Sequence, residues 1–171
     1  YPEGIEPQLD SDATYDPVNF NYPHGTHLCA MEVDTETGQV KMRKYVCVDD
    51  IGTIINPLTH QGQIEGGVVQ ALGFALTEEM LIEDGRVVST TFADYKIPTI
   101  KDIPPLETVL LEADGGTGPY GAKAIGEHPL ANIAPAIANA IYDAVGVRIT
   151  DLPLTSEKVF RALEEKRNNP L

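Results

Sequence analysis

Apolar side chains recur every four residues at Ile64, Val68, Leu72, Leu76 and Met80, with Val69, Ala71 and Ala75 beside them. That period predicts a long helix over 62–83 with a broad face that a second layer must cover. Gly66 and Gly67 lie inside the stripe, where each costs about 1 kcal/mol relative to alanine, so another backbone or a ligand is expected to come close there. With 171 residues, 42% of them hydrophobic, the chain is long enough to cover the stripe from its own core without disulfides or a structural metal.

The rest of the pattern is mixed. Two β-rich runs, 28–34 and 40–48, flank Thr35-Glu36-Thr37-Gly38 and predict a hairpin, with Gly38 free to take a positive φ. Asp84-Gly85 is expected to end the long helix, and 86–92 and 106–112 read as strands around a proline-bearing connection at 97–105. A glycine-dense loop follows at 114–126. Asn132 and Pro135 open a helix with the stripe Ile133, Ile137, Ile141 and Ala144, stopped by Gly146. After an extended piece at 147–152, the Thr155 hydroxyl caps a last helix with Glu157 near its positive end and Val159, Phe160 and Leu163 as its apolar face, fraying over 164–169. The expected fold class is α+β: a single mixed domain of helices packed on short β-sheets at 25–171, preceded by an extended proline-rich arm at 1–24.

Charge narrows the partners. Acidic residues outnumber basic ones by 26 to 12, for a net charge of −14, which repels phosphate backbones and anionic lipid. The densest basic run, Lys41, Arg43 and Lys44, is short, so neither nucleic acid nor a membrane surface is an expected partner. No apolar window approaches the ~18 residues of a membrane span. Cys29 and Cys47 are too few for a disulfide framework, and the expected compartment is the reducing cytoplasm. The chain opens on Tyr1 without methionine, which fits a piece of something longer.

Several motifs suggest chemistry. Gly116-Thr117-Gly118-Pro119-Tyr120-Gly121 spells a dinucleotide-binding turn, but such a turn must run straight into a helix. Here Pro119 deletes an amide and the next helical pattern waits until Asn132. His24, His27 and Cys29 lie close together without a zinc-site spacing, so His27 and Cys29 are read as half-buried residues of one strand face. Glu78, Glu79, Glu83, Glu164 and Glu165 read as solvated helix faces. Glu127 differs, because Ala122, Ala124, Ile125, Leu130 and Ala131 surround it. A carboxylate in apolar surroundings must be paired, hydrogen-bonded or used. It is a candidate general base, or else the partner of Lys123 in a structural ion pair. Gln63, at the start of the long helix, can both donate and accept toward an anionic oxygen or simply bond backbone.

Four ordered segments carry a resemblance: Asp49-Asp50-Ile51-Gly52-Thr53-Ile54-Ile55-Asn56-Pro57, Gly62-Gln63-Ile64-Glu65-Gly66-Gly67, Asp94-Tyr95-Lys96-Ile97-Pro98, and Gly121-Ala122-Lys123-Ala124-Ile125-Gly126-Glu127. Together they resemble the closing motifs of the large subunit of the xanthine dehydrogenase, aldehyde oxidase and carbon monoxide dehydrogenase family of molybdenum hydroxylases. Leu152-Pro153-Leu154-Thr155 resembles the aldehyde and carbon monoxide dehydrogenase branch in particular. The resemblance implies the fold of the family's second molybdenum-cofactor-binding domain. It also implies a molybdenum–molybdopterin cofactor, in its cytosine dinucleotide form, shared with a missing portion of the large subunit. Glu127 matches the catalytic glutamate and Gln63 the glutamine beside the cofactor, while Gly66, Gly67, Ala124, Ile125 and Gly126 match backbone that approaches it. No residue here is implied as a metal ligand. Iron–sulfur and FAD centres are implied on partner subunits or domains, in an oligomeric assembly acting on an aldehyde or N-heteroaromatic substrate or on carbon monoxide. His128 departs from the proline of the xanthine oxidase branch. The chain is then expected to be a C-terminal fragment or split subunit, inactive alone. The rival expectation is a scaffold that kept the fold without the catalysis.

Overall fold

A computed structural model describes residues 3–4 and 10–169. Part of the expected arm therefore lies outside the described residues. From 10 to 23 the chain forms neither helix nor strand, and it runs beside the glycine-dense loop. There the Tyr15 hydroxyl donates to the Thr117 carbonyl at 2.6 Å and the Asn21 amide to the Ala122 carbonyl at 2.7 Å.

The predicted hairpin forms as β1 (His24–Val33) and β2 (Val40–Asp50), antiparallel, with an irregularity between Ala30 and Met31. Asp34 organises the turn through hydrogen bonds from the amides of Glu36 and Thr37, and Gly38 supplies a φ of 72°. A Cβ on Gly38 would lie 2.2 Å from the Ser156 carbonyl oxygen, so the turn sits against the last helix. Gly38→Ala is expected to cost about 1–2 kcal/mol through the left-handed φ alone, read as a lower urea midpoint with unchanged slope.

Helix α1 (Pro57–Leu76) begins earlier and ends earlier than the stripe suggests. Asn56 caps it, accepting from the Thr59 amide, and Pro57 takes the first helical position, where its missing N–H is harmless. At the far end the amides of Thr77 and Glu78 both turn back to the Gly73 carbonyl, and the Thr77 hydroxyl donates to the Lys96 carbonyl. Met80 is consequently outside the helix and 61% exposed. Glu78, Glu79 and Glu83 are not a helix face either: Glu78 accepts from the Tyr95 hydroxyl at 2.7 Å and Glu83 ends β3. Asp84-Gly85, with φ values of 48° and 78°, is instead the turn of a small hairpin, β3 (Ile82–Glu83) and β4 (Arg86–Val87). This hairpin replaces the longer strand expected at 86–92.

Strand β5 (Leu106–Leu111) pairs parallel to β2, giving the sheet order β1-β2-β5 with β2 central. Short α2 (His128–Ala131) leads into α3 (Ile133–Val145), which ends at Gly146 in the left-handed conformation as expected. Ile133, Ile137 and Ile141 are buried, whereas Ala144 is exposed. Helix α4 (Ser156–Asn168) is capped by Thr155 and keeps its helical form past the expected fraying point. No strand forms at 147–152. One core joins Tyr45 and Cys47 of the sheet, Ile64, Val68 and Leu72 of α1, the α3 isoleucines, and Val159 and Leu163 of α4. The fold is α+β, with helices packed on short sheets as expected. No helix among the described residues is long and apolar enough to cross a membrane.

Candidate functional site

Two glycine-bearing segments meet beyond the end of β2. The Thr53 amide donates to the Gly121 carbonyl at 3.1 Å and the Lys123 amide to the Ile51 carbonyl at 2.9 Å, an antiparallel bridge centred on Gly52 and Ala122. Gly52 has a φ of 62°, and a Cβ there would fall 2.4 Å from the Gly121 oxygen. The glycine therefore permits the approach that carries the 121–127 loop to the sheet. Gly116 and Gly118 likewise pack against the carbonyls of Gly121 and Ala122, and a single 3-10 turn, Pro119–Gly121, follows them. The dinucleotide-like string is thus a packing device with no helix behind it.

Lys123 is spoken for. Its ammonium pairs with Asp50, and the two side chains are 7% and 14% exposed. The other Asp50 oxygen accepts from the amides of Gly52 and Ala113. An ion pair between Lys123 and Glu127 is therefore not formed. Glu127 stands at the N-cap position of α2, but its side chain is exposed and makes no capping hydrogen bond, so the apolar residues near it in sequence do not enclose it within this chain.

Gln63 and the loop do come together. The Gln63 side-chain amide donates to the Gly126 carbonyl at 3.0 Å, tying the first turns of α1 to the residue before Glu127. Gly66 and Gly126 both face open space, with nothing within 4 Å of a Cβ built on either. Gly67 behaves differently: its Cβ would meet Leu130 and Pro129 at 3.3 Å, so it serves the packing of α1 on α2. The N–H groups of Ala124, Ile125 and Gly126 donate to no described backbone carbonyl. Unpaired amides, a free carboxamide oxygen and bare glycine surface make a donor-rich face suited to an oxygen-rich, anionic group.

Beneath this face lies a buried cluster that no single segment of sequence announces. Asp49 of β2 is fully buried, and its Oδ1 accepts from His128 Nε2 at 3.1 Å and lies 3.5 Å from His27 Nε2. The Tyr45 hydroxyl contacts His27 Nδ1 at 3.0 Å. Burial pushes the Asp49 carboxyl up, but the bonds from His128 and His27 outweigh it and hold the group below the ordinary carboxylate range. The Asp50 carboxyl is held down chiefly by Lys123. Both contributions to stability are present above the unfolded carboxyl value near 3.8 and are lost as pH falls through the lower folded values. Unfolding midpoints followed from pH 6 to pH 2 should fall steeply below about pH 4, and Asp50→Asn should flatten that dependence. An unchanged slope in Asp50→Asn would contradict the assignment.

His27, Cys47 and Asp49 bring nitrogen, sulfur and oxygen within 4.8 Å of one another. Burial pushes the Cys47 thiol up to about 12, and both histidines already bond Asp49, so the cluster is a hydrogen-bonded one. His24 is exposed, and Cys29 stands opposite Tyr45 in the hairpin without joining this group. Cys29 and Cys47 are both free thiols.

Residues 3–104 match the model of the molybdopterin cofactor-binding domain, a span that contains Gln63. The chain belongs to the molybdenum hydroxylase large-subunit family. This molybdopterin-binding domain is 38% identical over 168 residues to the carbon monoxide dehydrogenase large chain of Hydrogenophaga pseudoflava, covering 96% of this chain and 21% of that one. It is 38% identical over 166 residues to the nicotine 6-hydroxylase large subunit of Paenarthrobacter nicotinovorans, covering 95% of this chain and 20% of that one. Among solved structures, quinoline 2-oxidoreductase from Pseudomonas putida 86 superposes with a TM-score of 0.85 at 37% identity, over 96% of this chain and 22% of that chain. The domain spans about a fifth of the length of the curated relatives it matches. Gln63 is bonded to Gly126, and Gly66 and Gly126 are open, a lining whose chemistry suits an oxygen-rich group, while Gly67 packs behind it against Leu130 and Pro129.

Proposed function

We propose that this domain is the C-terminal portion of a molybdenum hydroxylase large subunit. In this reading it contributes Glu127 as general base, and Gln63, Gly66 and the 124–126 loop as part of the molybdopterin site with Gly67 packed behind them, for oxidative hydroxylation of an aldehyde or N-heteroaromatic substrate by water. The observation that carries the reading is the 3.0 Å bond from Gln63 to Gly126, which joins two motifs 63 residues apart on one open face beside Glu127.

When bound, the molybdenum cofactor, in its cytosine dinucleotide form, supplies the two-electron oxidation. The chain's own residues have narrower tasks. Gln63 spends one N–H on Gly126 and keeps its carboxamide oxygen and second N–H for the cofactor. The amides of Ala124, Ile125 and Gly126 offer donors to its oxygens. Glu127 Oε accepts the proton that water loses as its oxygen becomes a nucleophile toward the substrate carbon. The exposure of Glu127 in this chain leaves its covering wall to the remaining large-subunit portion. Exposed Phe92 (77%) and Ile100 (84%) offer apolar surface to that portion. Iron–sulfur and FAD centres on partner subunits or domains of the assembled oligomer, in the cytoplasm, would take up the electrons.

The likeness to quinoline 2-oxidoreductase favours an N-heteroaromatic substrate, and the likeness to carbon monoxide dehydrogenase large chains favours carbon monoxide as the second reading. Coexpression with the remaining large-subunit portion tests the proposal. Molybdenum is expected near one per reassembled subunit and near zero in the purified 171-residue chain, because one wall of a two-walled site holds the cofactor weakly. Stoichiometric metal in the chain alone would contradict the shared site, and turnover of quinoline, an aldehyde or carbon monoxide by the reassembled form separates the substrates.

A further inference from the structure

An exposed carboxylate on a loop can act as a base only if its backbone is held still, since catalysis demands placement within a fraction of an ångström. Three anchors surround Glu127. Gln63 holds the carbonyl before it, and Pro129 is buried against Gly67 behind it. The third is the side chain of its immediate neighbour, His128, bonded at 3.1 Å to fully buried Asp49. Asp49 is itself immobilised. A Cβ on Gly25 would lie 2.3 Å from Asp49 Oδ1, so strand β1 presses directly on the carboxylate, and His27 approaches the same oxygen from that strand. The second Asp49 oxygen is buried and has no hydrogen-bond partner among the described residues.

The geometry points to Asp49 as a positioning residue that, through His128, fixes the place of Glu127 on the central strand of the sheet. This rests on the reading of Glu127 as the base. The Asp49 carboxylate makes a charge-assisted bond to the imidazole, and the imidazole is one peptide from the reacting side chain. Loosening that bond frees the start of α2 to shift, and with it the carboxylate that must face the water. The other groups that face Asp49 are Tyr45 and Cys47 of its own strand, whose protons burial keeps on, and His27 of β1.

The test uses the assembled large subunit with five variants: Asp49→Asn, His128→Leu, His128→Gln, Glu127→Gln, and Asp49→Asn combined with Glu127→Gln. Two readings are taken: rate per bound molybdenum, and amide hydrogen exchange over residues 124–131 in the cofactor-free subunit. Asp49→Asn and His128→Leu are expected to lower the rate about 10- to 100-fold and to speed exchange in that window. His128→Gln, which keeps an N–H at the Nε2 position, should recover most of both. In a Glu127→Gln background, Asp49→Asn should add little, because misplacing a group that no longer accepts a proton has no further consequence. A merely structural Asp49 would give a full additional loss in that background, and no recovery by His128→Gln; either result overturns the inference. A slow Glu127→Gln beside a normal Asp49→Asn defeats the positioning role alone. A normal Glu127→Gln defeats the base assignment beneath it.

Discussion

Glu127→Gln, in the assembled subunit, is expected to slow the reductive half-reaction by about 10²- to 10⁴-fold, the range typical of a lost general base, while molybdenum content stays at the wild-type level. The amide keeps the size and hydrogen-bonding reach of the carboxylate but cannot take up a proton. Because the Glu127 side chain is exposed and makes no capping hydrogen bond to α2, the substitution removes no side-chain bond to the helix it precedes. Any loss of rate per metal therefore reports on chemistry. Rapid mixing of substrate with oxidised enzyme, normalised to bound molybdenum, gives the rate directly, and near-wild-type turnover would sink the catalytic assignment.

Lys123→Met should give the opposite signature. Removing one partner of a fully buried ion pair costs about 3–5 kcal/mol. Asp50 keeps its bonds from the Gly52 and Ala113 amides, so the expected loss is about 2–3 kcal/mol. Lys123 also stands in the bridge between Ile51 and the 121–123 segment, so its loss loosens the loop whose amides are proposed to face the cofactor. Cofactor loading should fall with stability, while the molybdenum that remains turns over nearly normally. Measuring the urea midpoint, metal content and rate per metal for both variants separates a base from an anchor. Normal loading and stability in Lys123→Met would contradict the buried pair.

Legibility in the sequence followed the range of the forces involved. The stripe Ile64, Val68 and Leu72 is a local period, and it is buried as read. The ends of α1 were harder: Asn56-Pro57 is a recognisable start that the stripe alone does not contain, and the stop at Thr77 depends on Lys96, 19 residues away. Met80 kept the period by coincidence. Asp84-Gly85 is a hairpin turn by its residues, but an apolar stripe running up to it made a helix end look equally natural. At the site, Gln63 and Glu127 were both visible as motif positions, and the structure brings them together through Gly126. The partner of Lys123 was not visible, because Asp50 reaches it only through the Gly52–Ala122 bridge. Asp49 and His128 meet through sheet and helix packing that no neighbouring residue foretells.

The parallel pairing of β2 with β5 sets when the site can exist as the chain folds. Between these strands the chain makes α1 and the β3–β4 hairpin before returning. The contacts that define the site span 63, 73 and 79 residues, for Gln63 with Gly126, Asp50 with Lys123 and Asp49 with His128. The β1–β2 hairpin and α1 need only local contacts and can form early, whereas each site contact waits for a large loop to close, with the entropy of that closure already spent. High contact order is thus concentrated at the functional face. A partly folded domain holding only its N-terminal half presents Gln63 and Gly66 without the amides or the carboxylate opposite them. The face that carries Gln63 and Gly126 should consequently be completed only in the last kinetic phase of folding.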